Sequence, residues 1–182
     1  MDWANYEAVL AAVTKNGEAL KYAAEELKGN YEIVLAAVSQ NGWVLQFAAE
    51  TLQANHEIVL TAVTQSGWVL QYAAEPLRAN FQIVLAAVTQ SGTALYYAAD
   101  ELKGNYEIVL AAVASSGSAL KFAADVLNDD ETFIAELIMN ATEEQKKKIL
   151  KYASKRIQSH LEIYMGNLPE ILECLLGKNI KG

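Results

Sequence analysis

The sequence predicts an all-α fold, an α-solenoid of five 25-residue helix-turn-helix repeats with a divergent C-terminal helical cap. The segment 31–55, YEIVLAAVSQNGWVLQFAAETLQAN, recurs almost unchanged as segment 56–80. The same frame gives five copies that start at residues 6, 31, 56, 81 and 106 and end at residue 130, without a slip in register. Apolar residues recur at helical spacing within each copy, and a fixed period of this length is typical of stacked repeats.

The first half of each copy predicts an α-helix. In copy 2 the apolar residues fall on one helical stripe at i, i+3, i+4 and i+7: Tyr31, Val34, Leu35 and Val38. Asn30 precedes this stripe as the predicted N-cap, and Glu32 lies in the first turn, where the helix dipole favours an acid. Because this helix is apolar nearly all round, we expect it to form the buried inner layer.

The second half of each copy begins with a glycine, and the five equivalent positions are Gly17, Gly42, Gly67, Gly92 and Gly117. We expect a positive φ at these glycines, as at many helix ends. After the glycine, Leu45, Ala48, Ala49 and Leu52 predict a second helix of roughly ten residues. Pro76 lies within this helix in copy 3, where we expect an early end or a kink.

The C-terminal part predicts a degenerate sixth copy and capping helices. Residues 149–154 resemble 119–124 but follow them by thirty positions, which indicates a five-residue insertion. Capping boxes at Thr142 and Ser159, with Pro169 near a helix start and Gly177 after a helix end, predict two or three helices beyond residue 141. We therefore divide the chain into a repeat array, 1–130, and a degenerate repeat with capping helices, 131–182.

Composition and motifs favour a non-enzymatic protein. The single cysteine, Cys174, excludes an intrachain disulfide and a CxxC pair, and its apolar surroundings indicate a buried, unreactive thiol. His56 and His160 lack metal-ligand spacing, and His56 takes an aromatic position that favours packing in the core. Phosphate-binding, dinucleotide-binding and hydrolase motifs are absent from the sequence. We expect no catalytic residues, no metal and no cofactor.

Charge argues against a nucleic-acid partner. The net charge is −8, and residues 1–130 carry six Lys or Arg against fifteen Asp or Glu. A basic cluster occupies the C-terminal part: Lys146, Lys147, Lys148, Lys151, Lys155 and Arg156. It is typical of a solvated helix face, and an acidic partner or a membrane surface are the alternatives. Since neither a secretory peptide nor a membrane span is recognisable, we expect a cytoplasmic protein.

The repeat pattern resembles a known family. Residues 31–55 fit Y-E-I-V-L-x-A-V-x-x-[NS]-G-x-x-L-x-[YF]-A-A-[ED]-x-L-x-x-N, which is similar to a "domain of unknown function" family of tandem helical repeats. That family occurs in protists, in large viruses and in effectors that intracellular bacteria inject into host cells. The resemblance covers residues 6–130 and fades beyond them. It implies an α-helical array with an interaction role and, in a bacterial effector, delivery to the host cell cytosol.

Positions that change between copies indicate a partner surface. After the glycine the copies carry Glu18, Trp43, Trp68, Thr93 and Ser118, and three residues later Lys21, Gln46, Gln71, Tyr96 and Lys121. Because polar residues occupy these positions in some copies, they do not belong to the deep core. Two tryptophans in adjacent copies either cover the neighbouring repeat or anchor a partner. We choose Trp43, Trp68, Gln46, Gln71 and Tyr96 as the candidate partner-binding residues.

The constant aromatic position, Tyr22, Phe47, Tyr72, Tyr97 and Phe122, is interpreted as a core ladder. The function that these observations favour is a protein-interaction or scaffold module that binds a protein or peptide on a variable face. We expect a monomer or weak self-association. The alternatives are a passive structural spacer or targeting segment of a larger protein, and membrane-surface attachment through the basic C-terminal helix.

Overall fold

The computed structural model describes the backbone of residues 2–164 and the side chains of residues 2–160. Every regular element in this part of the chain is helical and no strand occurs, so the predicted all-α solenoid is confirmed. Each copy begins with a ten-residue α-helix, here called the long helix. The five long helices are Tyr6–Lys15, Tyr31–Gln40, His56–Gln65, Phe81–Gln90 and Tyr106–Ser115.

The long helices start where the sequence predicts, because asparagine caps each of them. In copy 2 the Asn30 Oδ1 accepts a hydrogen bond from the Ile33 N–H at 3.1 Å, which satisfies a backbone donor that the helix itself cannot pair. Asn5, Asn55, Asn80 and Asn105 do the same. The inner face of each long helix is fully buried, and in copy 2 it consists of Ile33, Val34, Ala37 and Val38. The expectation of a buried inner layer is thus confirmed.

The glycine after each long helix serves close packing. None of the five glycines has a left-handed φ, so the expectation of a positive φ is wrong. A Cβ added to Gly42 would lie 2.7 Å from the carbonyl oxygen of Ala62, which belongs to the long helix of the next copy. Only glycine lets the two copies approach this closely.

The second half of each copy contains two short helices. A six-residue 3-10 helix starts at the glycine, and the five are Gly17–Tyr22, Gly42–Phe47, Gly67–Tyr72, Gly92–Tyr97 and Gly117–Phe122. A four-residue α-helix, here called the short helix, ends each copy, and the five are Glu25–Lys28, Glu50–Gln53, Glu75–Arg78, Asp100–Lys103 and Asp125–Asn128. These two elements replace the single ten-residue helix that the sequence pattern predicts.

An inter-copy hydrogen bond accounts for this interruption. Ala48 and Ala49, between the two elements of copy 2, have extended backbone with ψ near 150°. The Ala49 N–H donates to the carbonyl oxygen of Lys28 in the previous copy at 3.0 Å, instead of to a carbonyl four residues earlier. Equivalent bonds of Ala24, Ala74, Ala99 and Ala124 each span 21 residues. The second half of each copy is therefore shaped by its neighbour.

Pro76 causes no kink. It lies in the first turn of the short helix Glu75–Arg78, where a backbone N–H has no intrahelical acceptor in any case. The interruption at Ala73 and Ala74 occurs at the same place in copies without proline, so the predicted effect of Pro76 is wrong.

The C-terminal part continues the array with three helices, Glu131–Met139, Glu143–Tyr152 and Lys155–Tyr164. The predicted capping box at Thr142 is present, whereas Ser159 lies inside a helix and the capping box predicted there is wrong. Ser154 occupies that role instead, since its Oγ accepts from the Ile157 N–H. The N–H of Ser154 also donates to the Asn128 carbonyl, and this inter-copy bond spans 26 residues instead of 21.

Five additional residues are therefore accommodated before Ser154, and they lengthen the element that replaces the 3-10 helix. The predicted positions of Cys174, Pro169 and Gly177 lie outside the described residues.

Candidate functional site

The two tryptophans of the predicted surface lie on consecutive 3-10 helices. Trp43 and Trp68 are 37% and 39% exposed. Trp43 packs edge-on against Tyr72 of the next copy with 6.1 Å between ring centroids, and Trp68 packs in the same way against Tyr97 at 5.8 Å. Each indole thus covers part of the neighbouring repeat and keeps the rest of its surface open to solvent. Both interpretations of these residues in the sequence are compatible with this geometry.

The other three predicted residues lie on the same layer of 3-10 helices. The side-chain amides of Gln46 and Gln71 donate to the carbonyl oxygens of Trp43 and Trp68, each at 3.1 Å. Tyr96 is 56% exposed, and its ring lies 5.0 Å from Tyr97 and 5.1 Å from Phe122. The structure therefore brings the predicted residues together on one side of the solenoid. We name this surface the aromatic face and define it as Trp43, Phe47, Trp68, Tyr72, Tyr96, Tyr97 and Phe122.

The constant aromatic residues are not a core ladder, so that prediction is wrong. Tyr22 is 58% exposed and lies against Trp3, and Phe47, Tyr72, Tyr97 and Phe122 are only partly buried. The reason is the 3-10 geometry, which directs the preceding Val and Leu into the core and leaves the ring at the edge. His56 at the start of a long helix is exposed as well, which corrects its expected place in the core.

An open groove borders the aromatic face between copies 3 and 4. It has a volume of about 510 Å³, and its lining comes from two short helices and the 3-10 helix between them: Glu75, Arg78, Tyr96, Tyr97, Ala98, Ala99, Asp100, Glu101 and Lys103. Lys103 forms an ion pair with Asp100 at 3.0 Å. The Arg78 Nε is buried and has no hydrogen-bond partner within the described residues. The groove therefore combines tyrosine rings with charged groups of both signs.

Sequence reasoning missed the carboxylates beside the aromatic face. The first residue of every short helix is acidic and exposed: Glu25, Glu50, Glu75, Asp100 and Asp125. This constancy was visible in the repeat alignment. A position that is polar and charged in all five copies, three residues after a ring that proves to be partly exposed, is the signal that could have revealed it.

The basic cluster lies on the last two helices, away from the aromatic face in the chain. Lys146 and Lys148 form ion pairs with Glu143 and Glu144 within one turn. Arg156 bonds Asp129 and Glu131 and so ties the last helix to the preceding copy. The Ser154 hydroxyl and the Arg156 guanidinium hold the pKa of Asp129 below its usual value, because both stabilise the ionised carboxylate. Half of the cluster is thus engaged in intramolecular ion pairs.

Two further observations concern metals and membranes. Among the described residues, no group of three or more His, Cys, Asp or Glu side chains could hold a metal ion. Within residues 2–164, no helix combines the length and apolar character needed to cross a bilayer.

The repeat unit also matches a family model. The model described as Domain of unknown function (DUF4116) matches three consecutive segments, residues 5–53, 55–103 and 105–158. The chain belongs to the DUF4116 family. No curated protein and no solved structure matches it.

Each DUF4116 match spans two of the 25-residue copies, so the three matches cover all five copies and the degenerate sixth. The third match is five residues longer than each of the others, in agreement with the longer inter-copy bond at Ser154. It also runs past residue 130, where the sequence comparison expected the resemblance to fade. The DUF4116 pattern therefore extends farther along the chain than that comparison indicated.

Proposed function

We propose that this DUF4116 array is a non-enzymatic interaction module that binds a protein or peptide on its aromatic face. The observation that carries the proposal is the contrast between an interior that is nearly identical in every copy and a row of partly exposed rings that differs between copies. Trp43 and Trp68 are each more than one third exposed although apolar positions nearby are fully buried. Partly exposed tryptophan and tyrosine are frequent anchors of protein interfaces.

The arrangement of the rings supports a partner site. Trp68, Tyr96, Tyr97 and Phe122 form a continuous chain of ring contacts between 5.0 and 5.8 Å that crosses from copy 3 to copy 5. Neighbouring rings restrict one another, so a partner that binds them has little side-chain freedom to immobilise. The row follows the axis of stacking and is therefore suited to an extended segment.

Selection of short random peptides by display on phage tests the proposal. We expect wild-type protein to enrich a consensus, and the variant Trp43→Ala with Trp68→Ala to bind the enriched peptides at least tenfold more weakly. Phe81→Ala is the matched control, because Phe81 has a similar exposed fraction, 36%, but begins a long helix outside the aromatic face. Circular dichroism verifies that each variant keeps its helicity. Unchanged affinity in the double variant contradicts the assignment of the site.

The resemblance to effector repeats extends the proposal to the cellular setting. In a protein delivered by an intracellular bacterium, the module would act in the host cell cytosol as a targeting or scaffold element. Antibody detection of the full protein in fractionated infected cells tests this part separately. Its failure leaves the proposed binding surface unaffected.

A further inference from the structure

Three copies place their own lysine on the constant aromatic ring. The Nζ atom of Lys21 lies 4.9 Å from the centroid of the Tyr22 ring, and that of Lys121 lies 4.5 Å from the Phe122 ring. In the degenerate sixth copy Lys151 lies 5.3 Å from the Tyr152 ring. Aromatic faces attract ammonium and guanidinium groups at these distances. The ring at this position therefore accepts a cation wherever the copy supplies one.

Copies 2 and 3 lack this cation. Gln46 and Gln71 replace the lysine, and their amides turn back to the carbonyl oxygens of Trp43 and Trp68. Within the described part of the chain no cation lies over the ring of Phe47 or Tyr72. Both rings are partly exposed, and Trp43 adds a second aromatic surface beside Tyr72.

Carboxylates accompany the two rings without cations. Glu50 and Glu75 follow Phe47 and Tyr72 by three residues, are exposed, and form no ion pair within residues 2–160. The equivalent acids of copies 1 and 4 do form one, since Lys28 bonds Glu25 at 2.7 Å and Lys103 bonds Asp100 at 3.0 Å.

The corresponding residues in copies 2 and 3 behave differently. Gln53 is neutral, and Arg78 lines the same groove as Glu75 without an ion pair to it. Copies 2 and 3 thus present rings and carboxylates that lack the cations of the other copies.

We propose that copies 2 and 3 bind an extended, basic protein segment, with one lysine or arginine over Phe47 and the next over Tyr72. Glu50 and Glu75 supply the complementary charge. This inference rests on the proposed function and adds the chemical class of the partner. Packed helices of adjacent copies lie about 8 to 10 Å apart, and an extended chain advances about 3.3 Å per residue. Basic residues three positions apart therefore match the spacing of the rings.

Synthetic peptides test this spacing directly. One peptide carries two lysines three positions apart in a neutral background, and a second of the same composition carries them side by side. Tryptophan fluorescence and calorimetry at low ionic strength measure the affinity. We expect the first peptide to bind about two- to fivefold more tightly than the second, the gain of one additional cation–π contact at an exposed site. Added salt weakens binding of both peptides.

A pair of substitutions tests the vacant cation position. Gln46→Lys with Gln71→Lys restores the residue that copies 1 and 5 carry, so the fold tolerates it and the protein's own lysines cover the rings. We expect at least tenfold weaker binding of the spaced peptide. Gln46→Met with Gln71→Met is the neutral control of similar size and retains binding.

The outcomes separate this inference from the proposed function. Equal affinity for the two peptides, no saturable binding, or full binding by the lysine variant overturns the inference. Peptides enriched by display that need Trp43 and Trp68 but lack lysine and arginine also overturn it, and leave the proposed function intact. Failure of the display to enrich any peptide removes both.

Discussion

The glycine at the start of each 3-10 helix provides the sharpest test of how the copies pack, and Gly67 is the best position for it. In Gly67→Ala, the added Cβ would lie 2.1 Å from the Ala87 carbonyl oxygen, 3.0 Å from the carbonyl carbon and 3.1 Å from the Ser91 Cβ. The first contact is about 0.9 Å shorter than the 3.0 Å that real Cβ atoms respect. Because the opposing atom belongs to the backbone of a long helix, no side-chain rotation relieves the clash.

The expected loss of stability has two parts. Overpacking of a tightly packed contact costs about 1 to 3 kcal/mol. Separation of copies 3 and 4 also weakens the hydrogen bond from the Gly67 N–H to the Gln90 Oε1, at 2.6 Å, which is worth roughly 1 kcal/mol. We therefore expect Gly67→Ala to lower the free energy of unfolding by about 2 to 4 kcal/mol, measured by urea titration with circular dichroism at 222 nm.

The matched control is Gly104→Ala. Its added Cβ meets nothing closer than 3.7 Å, its φ of −97° suits any residue, and alanine already occupies the equivalent positions Ala54 and Ala79. We expect no loss, or a gain of up to about 1 kcal/mol from the smaller entropy of the unfolded chain. If Gly67→Ala unfolds within about 0.5 kcal/mol of wild type, or if both variants lose the same amount, the packing explanation is refuted.

Three further predictions concern caps, proline and acid. Asn55→Ala removes the acceptor for the Glu57 and Ile58 N–H groups and should cost about 1 kcal/mol in urea unfolding. Pro76→Ala should change stability by less than about 1 kcal/mol, since a gain near 3 kcal/mol would mean that proline interrupts a helix. Asp129 has a depressed pKa in the folded state, so its stabilising contribution is present above the unfolded pKa of about 3.9 and is lost as pH falls through the folded pKa. Thermal unfolding between pH 5 and pH 2 should accordingly show a steeper loss for wild type than for Asp129→Asn, and parallel curves would contradict the assignment.

The long helices could be predicted from sequence because local features decide them. Asn30 caps its helix through the N–H of Ile33, only three residues away, and the buried stripe follows from spacing within ten residues. Each of these interactions is contained in one copy. Reading one copy therefore suffices for its first half.

The second half could not be predicted in detail, because its backbone partner lies in another copy. The spacing of Leu45, Ala48, Ala49 and Leu52 fits a continuous helix, but the bond from the Ala49 N–H to the Lys28 carbonyl holds the chain extended at that point. The helical pattern and the inter-copy bond place the same apolar residues inside. Hydrophobic periodicity alone does not distinguish them.

The candidate site was predictable where the copies differ and was missed where they agree. Trp43 and Trp68 were found because other copies carry polar residues at that position. Phe47 and Tyr72 were assigned to the core because an aromatic residue recurs there, although the 3-10 geometry leaves both partly exposed. Constancy within a repeat array thus reflects either burial or a shared surface function, and only the structure separates the two.

The inter-copy bond between peptide groups has an evolutionary consequence. Because each junction from copy 1 to copy 5 uses the same backbone donor and acceptor 21 residues apart, a junction depends little on which copy stands on either side. Unequal recombination between the near-identical gene segments would add or delete whole units and still produce matching junctions. The number of rings on the exposed row, and with it the length of partner that can be recognised, can therefore change in a single genetic event without redesign of the interior.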